Sequence, residues 1–418
     1  MLRQKTQRRL FRVVFLTGCV LPTLAIGAWA AARLHPAYHE TILRVAGASM
    51  GVALECDDIA TPKPGEYVVQ GLRLADPVTG NELARCNFMR VTRQSGRWRF
   101  VADQVTVSPQ GDAKIATPSK GGELPSVEGR IASLVAVDDN GAELCRWNRL
   151  HCHTGAPESL PDLPFDVEGS LLAAFWTESD NLSSMTALTI SEDDRPQRRF
   201  TLQTGSVPLP CSLVPSVMPG PIARSTTFSG TIKAAMGNDL RGEATGTLRF
   251  QPFASSSASW STAEVELIEM RWSGRRIESL HARADARAGL LSRNLVYGLY
   301  TMLGCQPRQA LVDLWESAPD EQPVPYGRLA CEVRLDPQGL VLFGRCGEQD
   351  GERRGGAIAH AVLAQGEEPL LIEPRERPQA ISRIVRAFWP DAEPELPASA
   401  AAQEVASRLP LPAETETR

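Results

Sequence analysis

The sequence has no basic surplus, no phosphate-binding loop, no dinucleotide fingerprint and no repeat of fixed period. Each absence removes a class. Net charge is −5 over 418 residues, and five positive charges, Arg3, Lys5, Arg8, Arg9 and Arg12, stand at the N-terminus. Setting those aside leaves about −10 for the remainder. An acidic body lacks the footprint that nucleic acid requires. Without a P-loop or a dinucleotide motif there is no handle for nucleotide chemistry, and no cofactor is expected. Carboxylates are plentiful but nothing pairs them, so glycoside hydrolysis has no handle either.

Two short motifs are compatible with catalysis or metal binding, and both fail on context. "GASMG", Gly47 to Gly51, fits G-x-S-x-G, yet a helical pattern precedes it and a strand pattern follows, the reverse of a nucleophile elbow. "CRWNRLHCHTG" offers Cys145, His151, Cys152 and His153. In a strand His151 and His153 share a face while Cys152 points away, and no second Cys/His pair follows at ligand spacing. No catalytic residue and no metal site is expected, and the chain is not read as an enzyme.

What is present begins at the N-terminus. The basic head is followed by Val13 to Ala32, which carries no charge. As a helix this run spans roughly 30 Å, the thickness of a bilayer core. The positive flank stays in the cytoplasm, so the expectation is a single-pass inner-membrane protein with the bulk of the chain in the periplasm. Ala28-Trp29-Ala30 also resembles a signal-peptidase site, which leaves cleavage as the alternative. Apolar residues make up 43%, enough for a packed body.

Beyond the run, residues 34–107 read as a short amphipathic helix with Ile42, Val45, Ala46 and Met50 at helical spacing, followed by an antiparallel meander. Val52 and Leu54 alternate with polar neighbours, and Val68, Leu72 and Leu74 are expected on one apolar face. Asp76-Pro77-Val78-Thr79-Gly80 supplies the turn: proline presets one backbone angle, and Asp and Gly accept the others. Residues 108–126 read as a linker, 127–226 as a middle β region and 227–373 as a distal β region with a helix near 290–303. In the distal region the apolar phase slips between Leu267 and Ile268, as a bulge requires. Leu329, Val333 and Leu335 alternate with charged residues there. Residues 374–389 hold a short helix, and 390–418, rich in Pro, Ala and Glu, read as a disordered tail. Eight of nine cysteines lie beyond the apolar run. Cys331 and Cys346 flank a hairpin pattern and suit either a cross-strand disulfide or two small buried thiols.

The order of these pieces resembles the start of the AsmA/TamB-like proteins of Gram-negative-type envelopes: basic head, membrane helix, a helix ending in "VAGASMGVAL", a strand, then "VVQGLRLADPVTGNELARC". Gly71, Leu72, Leu74, Asp76 and Pro77 match a "G-L-x-L-x-D-P" style turn, with Gly80 closing it. Thr227 to Phe250 and Arg276 to Cys305 resemble the Gly-punctuated distal strands of that superfamily. The resemblance implies an elongated β-rich groove, apolar inside, linked there to phospholipid handling or outer-membrane biogenesis. It implies no catalytic residues.

The expected fold is therefore mostly β: an N-terminal transmembrane helix, then an elongated, curled antiparallel sheet with an open groove and a few short helices. About 15 strands at roughly 4.8 Å would give a groove on the order of 70 Å. Val52, Leu54, Val68, Leu72, Leu74, Leu329, Val333 and Leu335 are the candidates to face lipid acyl chains. The expected partners are acyl chains, the inner membrane and an outer-membrane or envelope protein. The alternative is an anchored scaffold whose β-domains are closed and carry no lipid.

Overall fold

The structure is a computed structural model. It describes residues 36–63, 65–94, 97–108, 127–138, 140–155, 170–179, 184–192, 198–211, 226–236, 240–254, 258–317, 322–346, 356–363, 366–375, 378–388 and 400–412, with Thr23 and Asn181. Apart from Thr23, the uncharged run Val13 to Ala32 lies outside these residues, as does nearly all of the linker. Among the described residues no helix is long and apolar enough to cross a membrane. The fold is mostly β, with a few short helices, and every strand pairing given below is antiparallel. The chain divides into two compact units: residues 1–123 with 129–143, and residues 124–128 with 144–418.

The first unit opens with α1 (Pro36–Met50), which packs on β1 (Ala53–Glu55). Strands β2 (Asp58–Lys63), β3 (Glu66–Ala75), β4 (Glu82–Gln94), β5 (Arg97–Val107) and β6 (Val127–Val137) follow. β3 takes β1 and β2 along one edge and β4 along the other, and β4 pairs with β5. The β3–β4 turn is held by one side chain. Asp76 is buried; its Oδ1 accepts the Val78 N–H at 2.9 Å and its Oδ2 accepts the Thr79 hydroxyl at 2.9 Å. Gly80, at φ +73°, closes the turn by donating its N–H to the Asp76 carbonyl at 2.8 Å.

Gly71 changes which residues face inward. It sits at φ +61°, a left-handed conformation open to glycine. Before it the apolar rows are Tyr67–Val91–Phe100 and Val69–Met89–Ala102; after it they are Leu72–Cys86–Val105 and Leu74–Ala84–Val107. The inward face thus moves from odd to even residues of β3. Val68 pairs with Arg90, which pairs with the exposed Val101, so Val68 lies on the other face from Leu72 and Leu74. Strict alternation across Gly71 led the sequence reading to group the three.

The second unit contains β7 (Glu143–Thr154), β8 (Ser170–Thr177), β9 (Ala187–Glu192), β10 (Arg198–Gln203), β11 (Leu209–Pro210), β12 (Thr226–Met236), β13 (Leu240–Phe250), β14 (Phe253–Ala254), β15 (Ala258–Ser273) and β16 (Arg276–Leu291). After α2 (Arg293–Thr301) come β17 (Gln306–Pro307), α3 (Gln309–Ser317), β18 (Val324–Asp336), β19 (Gly339–Gly344), β20 (Ala357–Leu363) and β21 (Gly366–Ile372). The chain ends on α4 (Ile381–Phe388) and α5 (Ala400–Arg408). The ladder runs β7–β8–β9–β10–β12–β13–β15–β16–β18 and then forks to β19 and β20, with β21 beyond β20. Neighbours in space are close neighbours in sequence, as a meander requires. The β15–β16 register shifts between Leu267 and Glu269, where the apolar phase of the sequence slips.

The helices gather over one end of this ladder. α3 packs on β18 and β21, α4 on β19 and α2, and α5 on β16 and α4. Leu291, Val296, Leu303, Cys305, Leu311, Leu371, Ile381, Ile384 and Ala387 are all buried in the resulting core. α2 is shorter than the helix expected near 290–303. Leu290 and Leu291 finish β16 opposite Pro325 and Val324, and the Ser292 hydroxyl caps the helix by accepting the Leu295 N–H at 3.1 Å. The tail also differs from expectation. α5 lies within it, Leu409 is buried, and the Leu409 carbonyl accepts Arg276 Nη1 at 2.9 Å. A composition poor in large apolar residues still supplies Val405 and Leu409 to the core.

Candidate functional site

The feature that sets this chain apart from an ordinary sandwich is a line of apolar residues lying in register across ten strands of the second unit. Cys152 of β7 stands opposite Phe175, and Phe175 opposite Leu188. The line continues through Leu202, Ile232 and Ala244. It then passes Met270, Leu280 and Leu335, and ends on Leu340 of β19. A second row beside it reads Ala173–Ile190–Phe200–Ala234–Gly242–Trp272–Ile277. On its other side lie Gly246, Leu267, Ala282, Val333 and Leu342. Side chains alternate along a strand, so each row is one face, and the rows together form one apolar surface.

Local chemistry keeps that surface smooth. Gly242 lies opposite Trp272, whose indole fills the space where a Gly242 side chain would stand. Gly230 and Gly246 face each other at φ +154° and +144°, with Phe228 and backbone atoms where their side chains would stand. In the middle of the first row Phe175, Leu188, Leu202, Ile232, Met270 and Leu280 are half-buried and Ala244 is buried; Ile232, Met270 and Leu280 pack against a core that includes Phe228, Leu267 and Trp272. Its far end is sealed: Leu335 and Leu340 are buried in the core that the helices complete. Leu329 and Val333 pack against that core as well. The three distal candidates from the sequence therefore sit on the apolar face, but in its helix-covered part. Among the first-unit candidates, Val52 and Leu72 are buried, Leu54 pairs with Leu74, and Val68 is on the opposite face.

The reverse face is charged. Glu332 is 5% exposed; its carboxylate meets Arg334 Nη2 at 2.7 Å, His281 Nε2 at 3.0 Å and Arg283 Nε at 3.6 Å. Burial alone pushes the Glu332 carboxyl up, but hydrogen bonds and charge from Arg334 and His281 outweigh it, so its pKa lies below the usual value. Arg283 reaches Glu266 at 3.3 Å, and Arg328 binds Asp285 through Nε at 3.0 Å. The sheet thus keeps its charges on one side and its hydrocarbon on the other.

His151 stacks on its cross-strand partner Trp176 at 5.5 Å and 14°. Cys152 is buried on the apolar face; burial first, and then the Glu128 charge, push its thiol up to about 12. Among the described residues no group of three or more His, Cys, Asp or Glu is placed to hold a metal ion. Cys331 and Cys346 are both buried and are not joined in a disulfide. Gly344 stands opposite Cys331, while Cys346 packs with Ala330 and Ala357 in a separate small cluster. Sequence reading missed most of the long row, because alternation names the face of each strand but not which residues stand abreast. No protein-family model, no curated protein and no solved structure matches the chain.

Proposed function

We propose that the chain is an inner-membrane-anchored envelope protein that holds lipid acyl chains along the apolar face of its second unit and serves lipid conveyance or outer-membrane biogenesis. The observation that carries this reading is the ten-strand row from Cys152 to Leu340. Nine strand spacings give it a length of about 43 Å. Its half-buried stretch, from Phe175 to Leu280 across seven strands, covers about 29 Å, and each methylene laid on it gains about 0.8 kcal/mol. The uncharged run Val13 to Ala32 behind five basic residues supports the anchor and a periplasmic body. The acidic remainder disfavours nucleic acid, and among the described residues no titratable groups converge on the apolar face. A second reading, a closed interaction module without lipid, is favoured by the helix-covered core around Leu335 and Leu340.

The test is lipid mass spectrometry on residues 34–418, produced in the periplasm and purified without detergent. The expected result is co-purifying phospholipid that is lost from a Leu202→Glu, Ile232→Glu variant of unchanged β content. Lipid retained by that variant would remove the proposed surface, and a lipid-free parent would favour the closed module.

A further inference from the structure

The helix α1 is apolar on more of its surface than the first unit uses. Its inner side is consumed by the fold: Gly47 is buried against the Val52 carbonyl and Leu54, and Leu43 and Ala46 are half-buried. Tyr38, Ile42 and Val45 are left outside, at 37%, 37% and 63% exposure. At 100° per residue these three fall within an arc of about 60°. Exposed Glu40 and Arg44 lie on another side of the helix. Spacing of i, i+4 and i+7 gives one continuous stripe rather than scattered surface residues. Apolar side chains gathered in one stripe beside the membrane-length run suit a contact surface.

Position identifies the occupant. The uncharged run ends at Ala32 and α1 begins at Pro36. Four residues span at most about 14 Å, so α1 cannot leave the neighbourhood of the bilayer if that run is an anchor. Short tethering raises the local concentration of the lipid surface above that of any free partner. The side chains suit it: a tyrosine has an apolar body and a polar tip for the headgroup level, and isoleucine and valine suit the acyl boundary.

We infer that Tyr38, Ile42 and Val45 of α1 dock on the lipid surface of the membrane, so that α1 lies in the interface and its inner face holds the start of the sheet. This rests on the anchor reading of Val13 to Ala32. It sets the orientation of the first unit against the bilayer without a protein partner.

The experiment uses the full chain reconstituted in phosphatidylethanolamine/phosphatidylglycerol vesicles. A photoreactive benzoylphenylalanine replaces, one at a time, residues 26, 40, 42, 45 and 48, and adducts are identified by mass spectrometry. The expected result is lipid adducts at 42 and 45 at about ten times the level at 40 and 48. Adducts at 26 without adducts at 42 and 45 would overturn the inference and leave the anchor standing. Adducts of 42 and 45 with a second copy of the chain would overturn it in favour of a self-interface. No adducts at 26, 42 or 45 would overturn the inference together with the anchor. A Val45→Asp variant with the probe at 42 is a second reading: its lipid adducts fall, whereas a position labelled merely through exposure would keep them.

Discussion

The Asp57 carboxylate occupies the space beside Gly71 in which a side chain would have to stand. Asp57 is held there from two sides: its N–H donates to the Gln70 carbonyl at 3.0 Å, and its Oδ1 meets Arg73 Nη2 at 3.0 Å. Gly71→Ala therefore meets both a φ of +61° and an occupied site. We expect a loss of about 2 kcal/mol or more, against about 1 kcal/mol for Gly80→Ala, where φ is +73° but the space is empty. Urea denaturation of the two variants checks the order. Equal losses would mean that the Asp57 contact is easily relieved.

Position along the apolar face sets tolerance. Leu335 is buried beneath the helices, whereas Ile232 is half-buried in the same row. Leu335→Ala should cost about 2–4 kcal/mol and Ile232→Ala about 1 kcal/mol. The corresponding thermal midpoints would read this directly. An Ile232→Ala loss as large as that of Leu335→Ala would show that the middle of the row is sealed too.

Glu332 predicts acid sensitivity of a definite sign. Its folded pKa lies below the ordinary 4.5, so the stability it contributes is fully present above 4.5 and is lost as pH falls through the lower, folded value. Glu332→Gln should cost about 1–3 kcal/mol at pH 7, because Arg283, Arg334 and His281 lose their common counter-charge. As pH falls from 4.5 through the lower, folded value, the variant and the parent should converge. A difference that stays constant down to pH 3 would assign the cost to packing rather than charge.

The thiols should separate by reactivity. Burial pushes Cys305 and Cys331 up to about 12 and Cys211 up to about 11. Cys56 is only half-buried. Iodoacetamide at pH 8 should therefore alkylate Cys56 first and reach the others only on unfolding. Peptide mass spectrometry of a chain unfolded without reductant should find Cys331 and Cys346 alkylated separately. A linked Cys331–Cys346 peptide would require those two packed clusters to rearrange.

How much of this was legible in the chain varies by element. The alternation of Leu329, Cys331, Val333 and Leu335 against Arg328, Glu332 and Arg334 gives β18 and its two faces outright. The Asp-Pro-x-Thr-Gly run gives the β3–β4 turn, since its side chains and backbone bond within six residues. The short helix at 381–388 appears where the apolar spacing places it. Val68 was misassigned because one left-handed glycine reverses a face, and nothing in the letters marks Gly71 as left-handed. The end of the expected helix at 290 was lost to β16, whose ladder to β18 carries Leu290 and Leu291 into the sheet.

By itself, then, the sequence determined a mostly β chain with one apolar and one charged face per strand, because burial acts on each strand locally with a period of two. Only the tertiary structure decided that Phe175, Leu188, Leu202, Ile232, Met270 and Leu280 stand abreast in one line, and that helices cover the line at Leu335 and Leu340 while Ile232, Met270 and Leu280 pack against a second core around Phe228 and Trp272. Those are matters of register and packing between residues up to 188 positions apart, from Cys152 to Leu340. Each is fixed by hydrogen bonds and contacts that no local stretch of chain contains.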